Sequence, residues 1–319
     1  MRLAIVIIGR NEGARLHACL GSLAGQGHRL IYVDSGSSDD SVAVARGAGA
    51  EVVQLDPATP FTAGRARHEG FLALGDDPPE FVQFVDGDCA VVEGWLAAGR
   101  AALEADAGLG LVTGWRSEIA PEASVYNALC DHEWHRAAGE ITTCGGDMMV
   151  RVAAYQQVGG FDVTIIASED EEFCQRLRKG GWRLLRLPEQ MTRHDAAMRS
   201  FGQWWRRAVR SGHGFAQVGD MHPGYFARER RRVWLYGLVL PVLALAGLLW
   251  WPLLGAVVAA YVLSYIKTVL GLRRDGVATP RALHHGVFLT LSKFPNLIGM
   301  LTYRLRKWRG ATMRIIEYK

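Results

Sequence analysis

The stretch FVQFVDGDCAVVEGW, from Phe81 to Trp95, decides how the first part of this chain folds. An apolar run ends there in Asp86, Gly87 and Asp88, and apolar residues resume directly afterwards. A short apolar run that stops at a turn residue is typical of a buried strand, so both aspartates are predicted at its carboxyl end. Because a buried carboxylate without a partner is very costly, we expect Asp86 and Asp88 to hold a cation or a ligand.

Segments of alternating type precede that strand. The strand-like runs are LAIVIIG (3–9), RLIYVDSG (29–36) and AEVVQL (50–55), and the helix-like runs are NEGARLHACLGSL (11–23), SDDSVAVARGAG (38–49) and TAGRARHEGFLAL (62–74). This alternation predicts an α/β fold with a mostly parallel sheet and helices on both faces. Ligands of such sheets bind beyond the carboxyl ends of the strands, where Asp34 is also expected.

The charge balance does not favour a nucleic-acid partner. The chain has 319 residues and a net charge of +4, which is only mildly basic. A nucleic-acid-binding surface typically carries a basic stripe interleaved with aromatic residues, and the first two-thirds of the chain contain none. The opening MRLAIVIIGRNE has only a short apolar run before charge returns, which predicts a strand rather than a signal peptide.

The cysteines indicate a reducing compartment. There are five, they are scattered along the chain, and none forms a CxxC pair. An odd number without close spacing argues against a disulfide framework and against a structural zinc site.

The chain changes character after ARERRR, residues 227–232. Residues 233–251 carry no charge, and residues 253–272 carry only Lys267. Each segment is long enough to cross a bilayer as a helix, although a pair of buried core helices is the alternative. We therefore predict two domains, residues 1–225 and 226–319, the second a membrane domain.

Basic residues set the expected orientation of that membrane domain. Arginines stand before the first span, among them Arg228, and Arg273 and Arg274 follow the second, so both ends are predicted on the cytoplasmic side and the spans form a hairpin. A third apolar stretch, about 284–303, is broken by Lys293 and Pro295 and predicts an interfacial or re-entrant helix held by anionic lipid. These patterns predict a multi-pass protein of the cell inner membrane whose first domain is cytoplasmic.

Several polar groups could carry chemistry. Hard oxygen ligands such as Asp86 and Asp88 suit Mg²⁺ or Mn²⁺, although a solvated Asp-Gly turn is the simpler alternative. Asp34 could accept from a nucleotide base or ribose, or it could cap a helix. Arg67 could bind phosphate or lie on a solvated face.

Two later segments extend this group. Four acidic residues, Glu169 to Glu172, begin a predicted helix, and the helix dipole alone accounts for acids at that position. One carboxylate in a cleft near a metal-bound leaving group is also what a general base requires. His194 could be a metal ligand or a structural histidine.

In this order, the segments resemble the family 2 glycosyltransferases, which have the GT-A fold with its Rossmann-like sheet. The resemblance covers roughly residues 3–215 and runs through VIIGRNE, VDSGSSDDS, ARHEG, VDGDC, GGFD and SEDEEFCQRLRKGGWR. His68 replaces the asparagine that the family commonly has in the third of these. The set in order is specific to the family, whereas no single member is.

The resemblance implies a role for each matching residue. Asp34 and Glu12 are expected near the nucleotide base and ribose, and Asp86 at the ribose or the water shell of the metal. Asp88 is expected to bind the metal that bridges the diphosphate, with His194 as a further ligand, and Arg67 to neutralise phosphate. The remaining expectations are Asp170 as the catalytic base, Glu169 as its support, and Gly145, Gly146 and Asp147 at the boundary between donor and acceptor.

The segment FGQWWRRAVRSGHGFAQ, residues 201–217, departs from one branch of the family. Processive polysaccharide synthases carry Gln-x-x-Arg-Trp after the base. Gln203 and Arg206 fit that pattern, but Arg207 occupies the tryptophan position and Trp205 lies before it. We expect an amphipathic helix whose Gln203, Trp205 and Arg206 face the acceptor, and the departure counts against a processive synthase.

The function that the sequence predicts is an inverting, metal-dependent glycosyltransferase. Its donor is a nucleotide-diphosphate sugar, UDP-linked by default with GDP and dTDP open, and its acceptor is lipid-linked or a cell-envelope saccharide at the cytoplasmic face of the membrane. The alternatives are a processive polysaccharide synthase subunit and an inactive GT-A scaffold of a polysaccharide assembly. A sugar nucleotidyltransferase is a weaker option, because GRNEGARL is a poor match to the glycine-rich loop of those enzymes.

Overall fold

A computed structural model of the chain describes residues 3–317. They divide into two compact units, the first formed by residues 3–123 and 130–197 and the second by residues 124–129 and 198–317. The predicted boundary at residue 225 separates a catalytic domain from a membrane domain. The division into compact units does not test that boundary, so it stays a prediction.

One nine-stranded sheet forms the centre of the first unit. The strands are β1 (Leu3–Gly9), β2 (Arg29–Asp34), β3 (Glu51–Gln54), β4 (Phe81–Asp86), β5 (Cys89–Val91), β6 (Leu109–Glu118), β7 (Gly139–Ile141), β8 (Met148–Arg151) and β9 (Arg183–His194). The helices up to β9 are α1 (Ala14–Leu23), α2 (Ser41–Gly47), α3 (Ala63–Leu72), α4 (Trp95–Ala105), α5 (Val125–Trp134), α6 (Val152–Gln157) and α7 (Glu169–Lys179).

The strand order is β3-β2-β1-β4-β8-β6-β9-β5, with β7 also paired to β9. The first four strands are mutually parallel, as the alternating sequence predicts. Beyond β4 the sheet is mixed, since β8 runs antiparallel to both β4 and β6 while β9 runs parallel to β6. The α/β fold class is confirmed, and the sheet is less parallel than the sequence indicates because β5, β7 and β8 are short antiparallel strands.

Both faces of the sheet are covered, which explains why the strands read as continuous apolar runs. Alternate residues of β1 enter two separate cores: Ala4, Val6 and Ile8 join one, and Leu3 and Ile5 join the other. Strands buried on both faces need apolar side chains at every position rather than at every second one.

The carboxyl ends of the parallel strands meet at one edge, where β1 lies between β2 and β4. The strand order reverses at β1, because β2 and β3 lie on one side of it and β4 lies on the other, and such a switch point opens a crevice for ligands. Gly9 pairs with Asp34 and Ile8 pairs with Asp86 in register, so the ends of β1, β2 and β4 are level.

The second unit is helical. Its helices after β9 are α8 (Phe201–Met221), α9 (Ala227–Trp234), α10 (Leu240–Gly247), α11 (Trp251–Arg274), α12 (Thr279–Leu291) and α13 (Lys293–Trp308), with a π-helical turn at Leu235–Val239 between α9 and α10. Residues 248–250 turn the chain from α10 into α11. The close approach of these two helices depends on Gly247, where a Cβ atom would lie 2.7 Å from the backbone nitrogen of Leu254.

One helix of residues 3–317, Trp251–Arg274, is long and apolar enough to cross a membrane, and only 11% of its most apolar window is buried within the protein. The first predicted span falls on α9, the π-helical turn and α10. The prediction of a multi-pass membrane protein is therefore not supported, whereas one apolar helix near the C-terminal end fits a membrane contact.

Candidate active site

Asp86, at the end of β4, is the centre of a group of charges. Arg67 from α3 donates from Nη2 to its Oδ1 over 2.7 Å, and Arg116 from β6 donates from Nη2 to its Oδ2 over 3.1 Å. Burial alone would raise the pKa of Asp86, but the two guanidinium groups hold it below its usual value. We call Asp86, Arg67, Arg116 and Asp147 the Asp86 cluster.

Asp147 is an internal member of this cluster. Its Oδ1 accepts from the Asp86 backbone N–H over 2.9 Å, and its Oδ2 accepts from the Thr192 hydroxyl over 2.7 Å and lies 2.8 Å from Arg116 Nη2. The residue is 1% exposed. Its predicted place at the acceptor boundary stays a prediction, and these contacts indicate that it positions Asp86 and Arg116.

Gly146 allows Arg67 to reach Asp86. A Cβ atom at Gly146 would lie 2.1 Å from Arg67 Nη2, so any side chain at this position would clash with the guanidinium. At the neighbouring Gly145, the nearest atom to such a Cβ is Asp170 Oδ2 at 4.0 Å. The two predicted glycines therefore lie between the Asp86 cluster and Asp170.

Asp170 and Glu169 begin α7. Arg67 Nη1 donates to Glu169 Oε1 over 2.8 Å, so one guanidinium joins the Asp86 cluster to the start of this helix. Burial, with the charges of Glu169 and Glu171, raises the pKa of the Asp170 carboxyl to about 8. A carboxyl group with a pKa close to neutral is suited to general base catalysis.

Asp88 and His194 lie together at the other side of the Asp-x-Asp turn. His194 Nε2 is 3.3 Å from Asp88 Oδ2, and its Nδ1 is 3.5 Å from Glu118 Oε2. Strand register explains the meeting, because His194 pairs with Cys89 on β5 and with Glu118 on β6. Glu118 is held in turn by the Ala196 backbone N–H at 2.9 Å.

This pair fits a divalent cation. Ligand atoms of Asp88, Cys89 and His194 lie within 4.8 Å of one another, as do those of Asp86, Cys89 and Asp147. Burial raises the pKa of the Cys89 thiol well above its usual value, and sulfur is a soft ligand that suits neither Mg²⁺ nor Mn²⁺. A carboxylate and an imidazole held by a second carboxylate would form a partial shell for such a cation, which water and phosphate oxygens would complete.

Asp34 is the last residue of β2, just before the loop that leads to α2. Its Oδ2 accepts from the backbone N–H groups of Gly36 and Ser37, each over 3.0 Å. Its Oδ1 is buried without a hydrogen-bond partner within residues 3–317. A buried oxygen of this kind is costly, so it marks a place where a ligand donor fits.

Glu12 lies in the loop between β1 and α1, beside the Asp-x-Asp turn. A Cβ atom at Gly87 would lie 3.1 Å from Glu12 Cγ, and one at Gly9 would lie 3.0 Å from the same atom. Its carboxylate forms an ion pair with Arg15 over 3.0 Å. The structure thus brings Glu12 close to Asp86 and Asp88, and its contact with a base or ribose stays a prediction.

Gln203, Trp205 and Arg206 belong to the second unit. Gln203 Oε1 accepts from the Ser200 backbone N–H over 3.0 Å, and Ser200 accepts from the Gln203 backbone, so the two form a capping box at the start of α8. Arg206 is exposed and Trp205 is half-buried. The predicted acceptor-side roles stay predictions, and for Gln203 the observed contact is structural.

Sequence reasoning missed three residues: Arg116, Glu118 and Trp134. Trp134, at the end of α5, lies under the Arg116 guanidinium at 5.4 Å and against the edge of the His194 ring at 4.6 Å. No motif includes these residues. The signal in the sequence was the spacing of Arg116 and Glu118. They are two residues apart, so on a strand both side chains lie on the same face.

Family models cover most of the chain. Residues 4–155 match the model described as glycosyl transferase family 2, and residues 130–294 match the glycosyl transferase family group 2 model. A curated relative, the pre-mycofactocin glycosyltransferase of Mycobacterium tuberculosis, is 28% identical over 239 residues, which are 69% of this chain and 48% of the relative. The chain thus spans about half the length of the curated relatives it matches.

Two solved structures share the fold. A mannosyltransferase from Pyrobaculum calidifontis, PcManGT, in complex with GDP-Man and Mn²⁺, superposes with a TM-score of 0.59 at 16% identity over 96% of this chain and 87% of its own. Residues 1–349 of S. aureus TarS, in complex with UDP-GlcNAc, give a TM-score of 0.52 at 15% identity over 98% and 93% of the two chains. At these identities the likeness is one of fold, which is the GT-A fold.

Proposed function

Because this chain belongs to the family 2 glycosyltransferases, we propose that it transfers a sugar from a nucleotide-diphosphate donor to an acceptor hydroxyl with inversion at the anomeric carbon. The observation that supports the proposal is the link from Asp86 through Arg67 to Glu169, the neighbour of Asp170, whose carboxyl has a raised pKa. Such a site would combine a general base with groups for a charged leaving group.

The donor would lie along the carboxyl edge of the sheet. The unpartnered Oδ1 of Asp34 would accept from the nucleotide base or ribose, with Glu12 near the same groups and Asp86 at the ribose or the water shell of the metal. Asp88 and His194 would hold Mg²⁺ or Mn²⁺. When bound, the cation offsets the negative charge that grows on the departing diphosphate.

Asp170 would take the proton from the acceptor hydroxyl as that oxygen attacks the anomeric carbon. The bond from this carbon to the diphosphate oxygen breaks on the opposite face, so a single displacement inverts the configuration. Glu169, held by Arg67, would support Asp170 through its charge. No covalent enzyme intermediate is required.

The nucleotide and acceptor are proposed from chemistry and from similar proteins. One neighbour of this fold binds UDP-GlcNAc and another binds GDP-Man, so both nucleotides are donor candidates, with UDP as the default. The exposed apolar helix α11 would bring the protein to a membrane surface, which favours an amphiphilic acceptor such as a lipid-linked saccharide.

Calorimetric titration of the detergent-purified protein with UDP, GDP and dTDP, each with Mn²⁺ and with chelator, tests this proposal. We expect tight binding of one nucleotide that chelator weakens. Absence of binding to all three would refute the transferase site and favour an inactive scaffold. Product analysis by NMR then tests the inversion.

A further inference from the structure

Two arginines contact Asp86, and they differ in the donors that remain unused. Arg67 is 2% exposed, both its Nη atoms are engaged by carboxylates, and its Nε is enclosed without a partner within residues 3–317. The Arg116 side chain is 13% exposed and forms its hydrogen bond and ion pair through Nη2 alone. In the described part of the chain, its Nη1 and Nε have no hydrogen-bond partner, and neither is fully enclosed.

Trp134 packs against the Arg116 guanidinium. The Cζ atom of Arg116 lies over the indole ring, 5.4 Å from its centroid, which is a cation–π contact. The same indole meets the His194 ring at 4.6 Å. The guanidinium and the imidazole thus share one aromatic support.

Strand register puts Arg116 and the candidate metal ligands on one face of the sheet. On β6, Arg116 and Glu118 are two residues apart and pair with Thr192 and His194 of β9. Residues two apart on a strand point to the same side. A phosphate held by a cation at Asp88 and His194 would therefore lie within reach of the Arg116 edge.

We propose that Arg116 binds the terminal phosphate of the donor's diphosphate, with Trp134 holding its guanidinium in position. A guanidinium N–H gives a phosphate oxygen a charge-assisted hydrogen bond. Asp147 and Asp86 anchor the group through Nη2. Nη1 and Nε point to opposite sides of the guanidinium, so one of them would donate to the phosphate. Arg67 then positions Asp86 and Glu169. This inference rests on the proposed function.

The test compares nucleoside diphosphates with monophosphates, because only the former carry the phosphate that Arg116 would contact. Calorimetry in Mn²⁺ measures the dissociation constants of UDP, UMP, GDP and GMP for the wild-type protein and for Arg116→Gln. We expect Arg116→Gln to weaken the preferred diphosphate about tenfold to a hundredfold and to change its monophosphate by no more than about twofold. Arg116→Lys keeps the charge on a smaller donor group of different shape, and its affinity for the diphosphate should fall between those of the wild type and Arg116→Gln.

Arg151→Gln is the matched control. The Arg151 side chain is also 13% exposed and lies over an aromatic ring, that of Phe81, at 5.2 Å. It pairs in register with Phe81, at the opposite end of β4 from Asp86. This variant should lower the melting temperature and leave the ratio of diphosphate to monophosphate affinity unchanged.

Each outcome decides a different point. If Arg116→Gln leaves the ratio of diphosphate to monophosphate affinity at the wild-type value, the assignment of Arg116 is overturned. The proposed transferase site is not affected by that outcome. If the wild-type protein binds none of the four nucleotides and does not bind dTDP, the proposed function fails and this inference fails with it. Where Arg116→Gln does not fold, the change of ratio in Arg116→Lys decides.

Discussion

Asp170 occupies a place that favours its neutral form, whereas a general base must be ionised. Its pKa of about 8 predicts that the rate rises with pH as the carboxyl loses its proton. Removing the neighbouring charge in Glu171→Gln should move the rise to lower pH, because Glu171 helps to raise that pKa. The pH dependence of kcat/KM measures both, and a flat profile between about pH 6 and 9 would exclude Asp170 as the base.

Asp170→Asn should abolish transfer, preserve nucleotide binding and stabilise the protein. The folded-state pKa is raised above the ordinary value of 3.8, so the wild-type protein loses stability as pH rises from about 4 to about 8. The variant escapes this loss, and its free energy of unfolding should exceed the wild-type value by about 1 kcal/mol at pH 8 and by little near pH 4. Urea unfolding at the two pH values measures the difference. Near-normal turnover would remove Asp170 from the mechanism.

Asp88→Ala should weaken nucleotide binding in Mn²⁺ by about tenfold or more. Loss of a residue that only hydrogen-bonds a metal ligand already lowers metal affinity by about tenfold or more, and loss of the ligand itself should cost at least as much. Binding measured in chelator should not change. Asp56→Ala is a suitable control, because Asp56 accepts a hydrogen bond from the Ala58 backbone in an exposed turn. Equal affinity of Asp88→Ala and wild type, with and without Mn²⁺, would contradict the metal assignment.

At the scale of elements, the connection between β7 and β8 offers two adjacent glycines with different surroundings. Gly146→Ala would force its methyl group against Arg67, and it should lower the free energy of unfolding by about 1–3 kcal/mol and impair transfer. Gly145→Ala has only one atom at 4.0 Å and should cost less than about 1 kcal/mol. Thermal unfolding of the pair checks this difference, and equal losses would refute the account.

Sequence reasoning succeeded where a site depends on the ends of parallel strands. Asp34 and Asp86 follow apolar runs, and parallel strands bring such ends to one edge whatever the rest of the sheet does. It did not reach Arg116 or Glu118, because their positions depend on the pairing of β6 with β9, residues far apart in sequence with several register shifts. The fold class is confirmed, and the residue roles stay predictions.

At the scale of the whole molecule, the turn between α10 and α11 is the most exposed apolar part of the chain described. Leu249 is 94% exposed and Trp251 is 82% exposed. A surface of this kind marks an interaction site, and bulky apolar residues with aromatics are suited to the lipid interface. We expect the turn to insert into a bilayer.

Flotation with vesicles of phosphatidylglycerol and phosphatidylcholine tests this expectation. The double variant Leu249→Glu with Trp251→Glu should reduce the bound fraction about tenfold or more, since each change places a charge in an apolar environment. Leu72→Glu, at a solvent-facing position on α3 with 56% exposure, should bind as the wild type does. Unchanged flotation of the double variant would exclude the turn as the membrane contact.

The late position of β9 in the chain has a consequence for biosynthesis. β9 lies between β6 and β5, and it supplies His194 to a partner, Asp88, that leaves the ribosome about a hundred residues earlier. The part of the sheet built from β1, β2 and β4 can form while translation continues, but the contact of Asp88 with His194 cannot form before residue 194 emerges. A nascent chain arrested before β9 would therefore expose the edges of β5 and β6 to pairing with other chains.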